Sequence, residues 1–95
     1  MNKKLDIKKV ERISKALGDP YRLKIIEVIN KKQDWVQCVE IVEMFDLAQS
    51  TVSHHIKQLV EADLLEAEKE GRCSKYKVNK EVFAGYIKFL NPFEV

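Results

Sequence analysis

Between residues 49 and 57 the chain reads Gln49-Ser50-Thr51-Val52-Ser53-His54-His55-Ile56-Lys57. Hydroxyls, an amide and imidazoles at this density can both donate and accept hydrogen bonds. A helix face kept only for solubility is usually filled with Glu and Lys, yet the first charged residue here is Lys57. The chemistry on offer is recognition, not bond-making. No nucleophile–base–orienter set, phosphate-cradling glycine loop or ligand cluster stands in the sequence, so an enzyme is not expected.

Position decides which of these groups face outward. Val52, Ile56, Leu59 and Val60 recur at i, i+4, i+7 and i+8, the stripe of a helix that buries one side. At about 100° per residue, Ser50, His54, Lys57, Gln58 and Glu61 point away from that stripe. Thr51 and Ser53 flank it, and His55 lies nearer the core edge. Just upstream, Ile41, Val42 and Phe45 give a second apolar face. Asp46 falls where the chain must turn sharply and is expected to take the left-handed conformation, which Asp tolerates better than most residues. Two short helices joined by a tight turn make a helix-turn-helix pattern over 39–62. The plainer alternative is a solvated helix face with no partner.

The remaining elements must hold this pair. Val10, Ile13, Ala16 and Leu17 predict a first helix over 5–17, stopped by Gly18. Asp19 can cap a second helix with Pro20 at its first position. Its buried face is expected to be Leu23, Ile25, Ile26 and Ile29. The stretch from Asp34 to Cys38 is ambiguous. Asp34 with Gln37 could form a capping box, but Trp35-Val36-Gln37-Cys38 is rich in strand formers, and a short strand is preferred. Residues 65–78 predict a β-hairpin with its tip near Glu70-Gly71-Arg72, Tyr76 and Val78 inward, Lys75 and Lys77 outward. Asn79 can cap a last helix over 80–90, where Val82, Phe83, Tyr86, Ile87, Phe89 and Leu90 cover more than half the circumference. A helix that apolar is expected to pack on more than its own domain.

Ninety-five residues, 45% apolar and 34% charged, describe one ordinary globular domain. No apolar run approaches a membrane span, and the first residues lack the apolar core of a secretory signal, so the cytoplasm is the expected location. Cys38 and Cys73 form neither a CxxC pair nor a disulfide framework, which fits a reducing compartment. One lies beside the core and the other on the hairpin, so an intrachain disulfide is not expected. The net charge of +2 argues weakly for nucleic acid. Residues 1–15 hold six bases against two acids, whereas 49–77 hold five of each, so a basic surface must be assembled by folding.

The segments ALGDPYRLKII, EIVEMFDLAQSTVSHHIKQLVEADLL and EKEGRCSKYKV stand in this order across residues 10–79. Together they resemble the ArsR/SmtB family of winged-helix bacterial repressors. The resemblance implies a mainly α fold of about five helices with a small β-hairpin wing, and a homodimer built from the first and last helices. It places a recognition helix at about Gln49–Ala62 and the wing around Arg72. The partners it implies are double-stranded DNA carrying an inverted repeat and a second copy of the chain; no membrane is involved, and the effector is unknown.

The departures are specific. The paired cysteines of the family's metal sensors fall on Gln37 and Val39, with Cys38 between them. The last helix has neither His nor Asp for the family's other metal site, and the usual serine before the recognition helix is Ala48. No metal and no cofactor are therefore expected. Gln49, Ser50, Thr51, Ser53, His54 and Lys57 are assigned to the DNA major groove and its flanking phosphates. Arg72 is assigned to a minor-groove or phosphate contact, supported by Lys69 and Lys75. Val10, Ile13, Leu17, Val82, Tyr86, Phe89 and Leu90 are assigned to the dimer interface. Two other readings stay open: a winged-helix protein-interaction module, and a thiol- or redox-responsive repressor using Cys38 and Cys73.

Overall fold

The computed structural model of the chain describes residues 5–94. Helix α1 (Ile7–Leu17) is started by Asp6, whose carboxylate accepts the Lys9 backbone N–H at 2.8 Å. Helix α2 (Pro20–Lys32) begins as its sequence predicts, with Asp19 accepting from the backbone N–H groups of Tyr21 at 2.9 Å and Arg22 at 3.3 Å. Such a cap is worth about 1 kcal/mol. Gly18 ends α1 with φ −81° and so makes no use of glycine's conformational freedom. The left-handed residues sit elsewhere, at Gln33 after α2 and at Asp63, with φ 55° and 62°. Asp46 is not among them, against expectation: the turn that leads into residues 49–61 is made without a positive φ.

Both readings of the Asp34–Cys38 stretch contain part of the answer. Val36–Gln37 is a strand, β1, and helix α3 (Cys38–Glu43) follows it directly. A capping contact does form, but the Glu40 carboxylate accepts the Gln37 N–H at 3.3 Å, and Asp34 only meets the neighbouring Trp35 N–H. Helix α4 (Gln49–Glu61) starts from Ala48, which offers no side-chain cap; its carbonyl accepts the Thr51 and Val52 N–H groups at 3.0 and 3.1 Å.

Strands β2 (Leu65–Glu70) and β3 (Cys73–Val78) form the hairpin, paired from Leu65↔Val78 to Glu70↔Cys73, with Gly71 at φ 64° in its tip. The sheet has three strands: the expected hairpin, and the preferred short strand β1, which adds antiparallel to the outer edge of β3 in the order β1-β3-β2. Trp35 helps secure that third strand. The ammonium groups of Lys75 and Lys77 lie 5.3 and 5.7 Å from its ring centre, within cation–π range. These two lysines therefore lie against Trp35 instead of standing free.

Helix α5 (Lys80–Leu90) is capped by Asn79, which accepts the Val82 N–H, and a short 3₁₀ turn over Asn91–Phe93 follows. The Ser14 and Tyr86 hydroxyls, 2.9 Å apart, tie α5 to α1.

One core serves all these elements. Ile13, Ile25, Ile29, Val36, Ile41, Val52, Ile56, Leu59, Leu64 and Leu65 are each at most 2% exposed. Burying one such side chain stabilises the fold by about 1.5–3 kcal/mol. This packing corrects two assignments. Ile13 is fully buried in its own protomer and Val10 is 8% exposed, so neither is available to a second chain. Leu23, expected inside, is 51% exposed on the side of α2 that faces α5.

Candidate nucleic-acid interface

Helix α4 divides cleanly into two sides. Val52, Ile56 and Leu59 are buried, and Gln49, Ser50, Thr51, Ser53, His54 and Lys57 are all exposed. The six groups cover the N-terminal two turns of the helix on the side opposite the core. Its acids, Glu61 and then Asp63 and Glu66 beyond it, gather at the far end. The face that would meet a duplex first thus carries one lysine and no carboxylate.

His55 lies on the other side of the boundary. It is half-buried and stacks on Tyr21, with ring centroids 6.0 Å apart and planes 25° from parallel. Tyr21 in turn meets Phe45 edge-on at 6.2 Å. The contact joins the first turn of α2, the turn after α3 and the middle of α4. His55 is accordingly a packing residue, as its angular position implies. Asp19 stands close by. Burial pushes its carboxyl up, but the Arg22 and Tyr21 backbone N–H groups, with His55 and Arg22 nearby, outweigh that and hold it below the usual carboxylate range.

The wing brings Arg72 to the same side. Arg72, Gln49 and Ser53 border one notch of about 410 Å³ between α3, α4 and β3. Arg72 is exposed at the hairpin tip, and Lys69 is exposed on β2. Lys75 is different: it pairs with Glu70 at 3.2 Å and Glu68 at 3.8 Å, and the Glu70 contact chiefly raises its pKa. Its charge is partly matched within the wing, so it adds less to the positive charge around Arg72 than its sequence position suggests. Cys38 and Cys73, expected far apart, line this same notch. Residue types alone held no signal for that. The pairing of β1 with β3 brings them together.

Gln37 and Val39, where the sequence aligns with the family's paired cysteines, are exposed. Among the described residues no group of three or more His, Cys, Asp or Glu is placed to hold a metal ion.

Among the described residues, five α-helices, a three-stranded sheet ending in a wing, and a polar helix presented beside that wing define a winged helix-turn-helix transcriptional regulator. Residues 19–67 match the model of the bacterial regulatory protein, arsR family. The chain is 34% identical over 83 residues to an arsenical resistance operon repressor of Staphylococcus xylosus, spanning 87% of this chain and 77% of that one. The chain belongs to the arsR family, whose members are regulators and not enzymes. Its fold is similar to the crystal structure of an ArsR family transcriptional regulator, with a TM-score of 0.83 at 22% identity over 97% of this chain and 93% of that one. It is also similar to the solution structure of the homodimeric winged helix-turn-helix DNA-binding domain of a possible ArsR-family regulator from Mycobacterium bovis. There the TM-score is 0.70 at 22% identity, over 93% of this chain and 82% of that one.

Proposed function

We propose that the chain acts as a homodimeric transcriptional repressor that binds an inverted-repeat DNA operator through helix α4. The observation that carries this reading is the division of α4: Val52, Ile56 and Leu59 at most 2% exposed, and every hydrogen-bonding group from Gln49 to His54 outside. The major groove of B-DNA accepts one α-helix, and its edges are read by amides, hydroxyls and imidazoles. Lys57 and Arg72 supply phosphate contacts, which give affinity without sequence preference. The repressor names of the curated relatives support the direction of regulation.

Dimerisation uses the apolar surface that the protomer leaves open. Ile7, Ile87, Leu90 and Phe93 are 70%, 62%, 42% and 75% exposed, all on α1, α5 or the turn after it. Half-buried Leu17, Val82, Tyr86 and Phe89 border them. The homodimer formed by the Mycobacterium bovis neighbour supports a two-fold arrangement. Two α4 helices about 34 Å apart would then enter successive major grooves on one side of the duplex. Among the described residues no helix is long and apolar enough to cross a membrane, and a regulator of this kind works in the cytoplasm with the chromosome.

The test is fluorescence anisotropy on DNA from upstream of the protein's own gene against a scrambled duplex of equal length. Salt-dependent binding with a clear preference for the native sequence, weakened about fivefold or more by Ser53→Ala or His54→Ala, is expected. Equal affinity for both duplexes would overturn the reading.

A further inference from the structure

In the β1–β3 pairing Gln37 lies opposite Lys75. Cys38 follows Gln37 as the first residue of α3, and Cys73 opens β3 two residues before Lys75, so two cysteines distant in sequence come to the same end of the β1–β3 pair. Both cysteines are free thiols and line the notch shared with Gln49, Ser53, Arg72 and Tyr76. They are chemically unequal. Cys73 is exposed and Cys38 half-buried, and burial, with Cys73 nearby, pushes the Cys38 thiol up. Cys73 is therefore the group a soluble oxidant meets first.

We propose that Cys38 and Cys73 form a dithiol modification site in the notch between recognition helix and wing, oxidised by hydroperoxides to an intrachain disulfide that lowers DNA affinity. The consequence for affinity rests on the DNA-binding reading above; the site itself does not. The Cys73 thiolate attacks the peroxide, forming an S–O bond and breaking the O–O bond. Cys73 becomes a sulfenic acid, and the departing alkoxide takes a proton to leave as alcohol. Cys38 then attacks the Cys73 sulfur: the S–S bond forms, the S–O bond breaks, and the hydroxide leaves as water with the Cys38 proton. The sulfur pair loses two electrons and the peroxide gains them.

The link would act on the wing, because its two ends are held differently. Cys38 opens α3, which Ile41 anchors in the core at 0% exposure, whereas Cys73 adjoins Arg72 at the exposed hairpin tip. Joining them draws the start of β3 toward α3 and shifts Arg72 relative to Gln49 and Ser53.

The experiment oxidises the reduced full-length protein with tert-butyl hydroperoxide and follows it by non-reducing peptide mapping and by anisotropy on the upstream DNA. A Cys38–Cys73 linked peptide is expected, lighter by two hydrogens. Affinity should fall about tenfold, within the usual range of coupling between sites, and return with dithiothreitol. Cys38→Ser and Cys73→Ser should each bind DNA normally when reduced and keep that affinity after peroxide, with Cys38→Ser holding a dimedone-reactive sulfenic acid at Cys73. A bridge between the Cys73 residues of two protomers, or a Cys73 sulfenic acid beside an unreacted Cys38, overturns the site. A linked peptide with unchanged affinity overturns the switch. If the reduced protein shows no sequence preference, the repressor reading fails, and the peptide map still decides whether the site exists.

Discussion

The imidazole of His55 lies stacked on the ring of Tyr21, so α4 is pinned to the first turn of α2 on the side opposite its polar face. Rotation of α4 about its own axis would break this contact before it moved the buried stripe far. Aromatic pairs of this kind are worth about 0.5–1.5 kcal/mol beyond the area they bury. The His55 Nδ1 is buried and meets no hydrogen-bond partner among the described residues, which subtracts from that gain. His55→Phe should therefore cost less stability than His55→Ala. Urea denaturation of both variants, with Tyr21→Ala to close a double-mutant cycle, checks it; zero coupling between positions 21 and 55 would show the stack to be incidental.

On α4 and the wing, base-reading and phosphate-neutralising residues should separate in their salt dependence. Lys57→Ala and Arg72→Ala should each weaken binding across all sequences and reduce the salt slope by about one. Ser53→Ala and His54→Ala should leave the slope in place and lose about 1–3 kcal/mol on the operator alone. Anisotropy titrations at several salt concentrations distinguish the two patterns.

Ile87→Glu should convert the dimer to a monomer. The side chain is 62% exposed on α5, so the carboxylate costs the isolated protomer little, whereas in an apolar interface it would be buried without a partner. Sedimentation velocity should show the shift while the circular dichroism spectrum stays unchanged.

Asp19→Ala removes the α2 cap and should cost about 1 kcal/mol. The native carboxyl has a pKa below its unfolded value. Its contribution is therefore complete above the ordinary Asp pKa of about 3.9 and is lost as the pH falls through the lower folded value. The stability difference between wild type and variant should be constant near neutrality and shrink below about pH 4. A difference that grew on acidification would contradict the assigned cause.

Gly71→Ala tests the wing tip. A Cβ there meets nothing within 4 Å, so space is not the issue, but φ is +64°. The variant should lose about 1 kcal/mol for the left-handed conformation alone. A substantially larger loss would mean that the tip is packed, not open.

The amphipathic stripe of Val52, Ile56 and Leu59, the Asp19-Pro20 start and the Asn79 cap were all legible because they are local: spacing and capping act within a turn or two of helix. The outward set from Gln49 to Lys57 followed from the same periodicity. What only tertiary structure decided depends on contacts between distant segments. Whether Val10 and Ile13 face a second chain or their own core depends on where α2 and α4 pack, and both turn inward. Lys75 looked free until β2 set it beside Glu68 and Glu70 and β1 brought up Trp35. The approach of Cys38 to Cys73 arises from a two-residue strand joining a sheet edge, because β pairing joins partners of any separation and leaves no periodic trace in either segment.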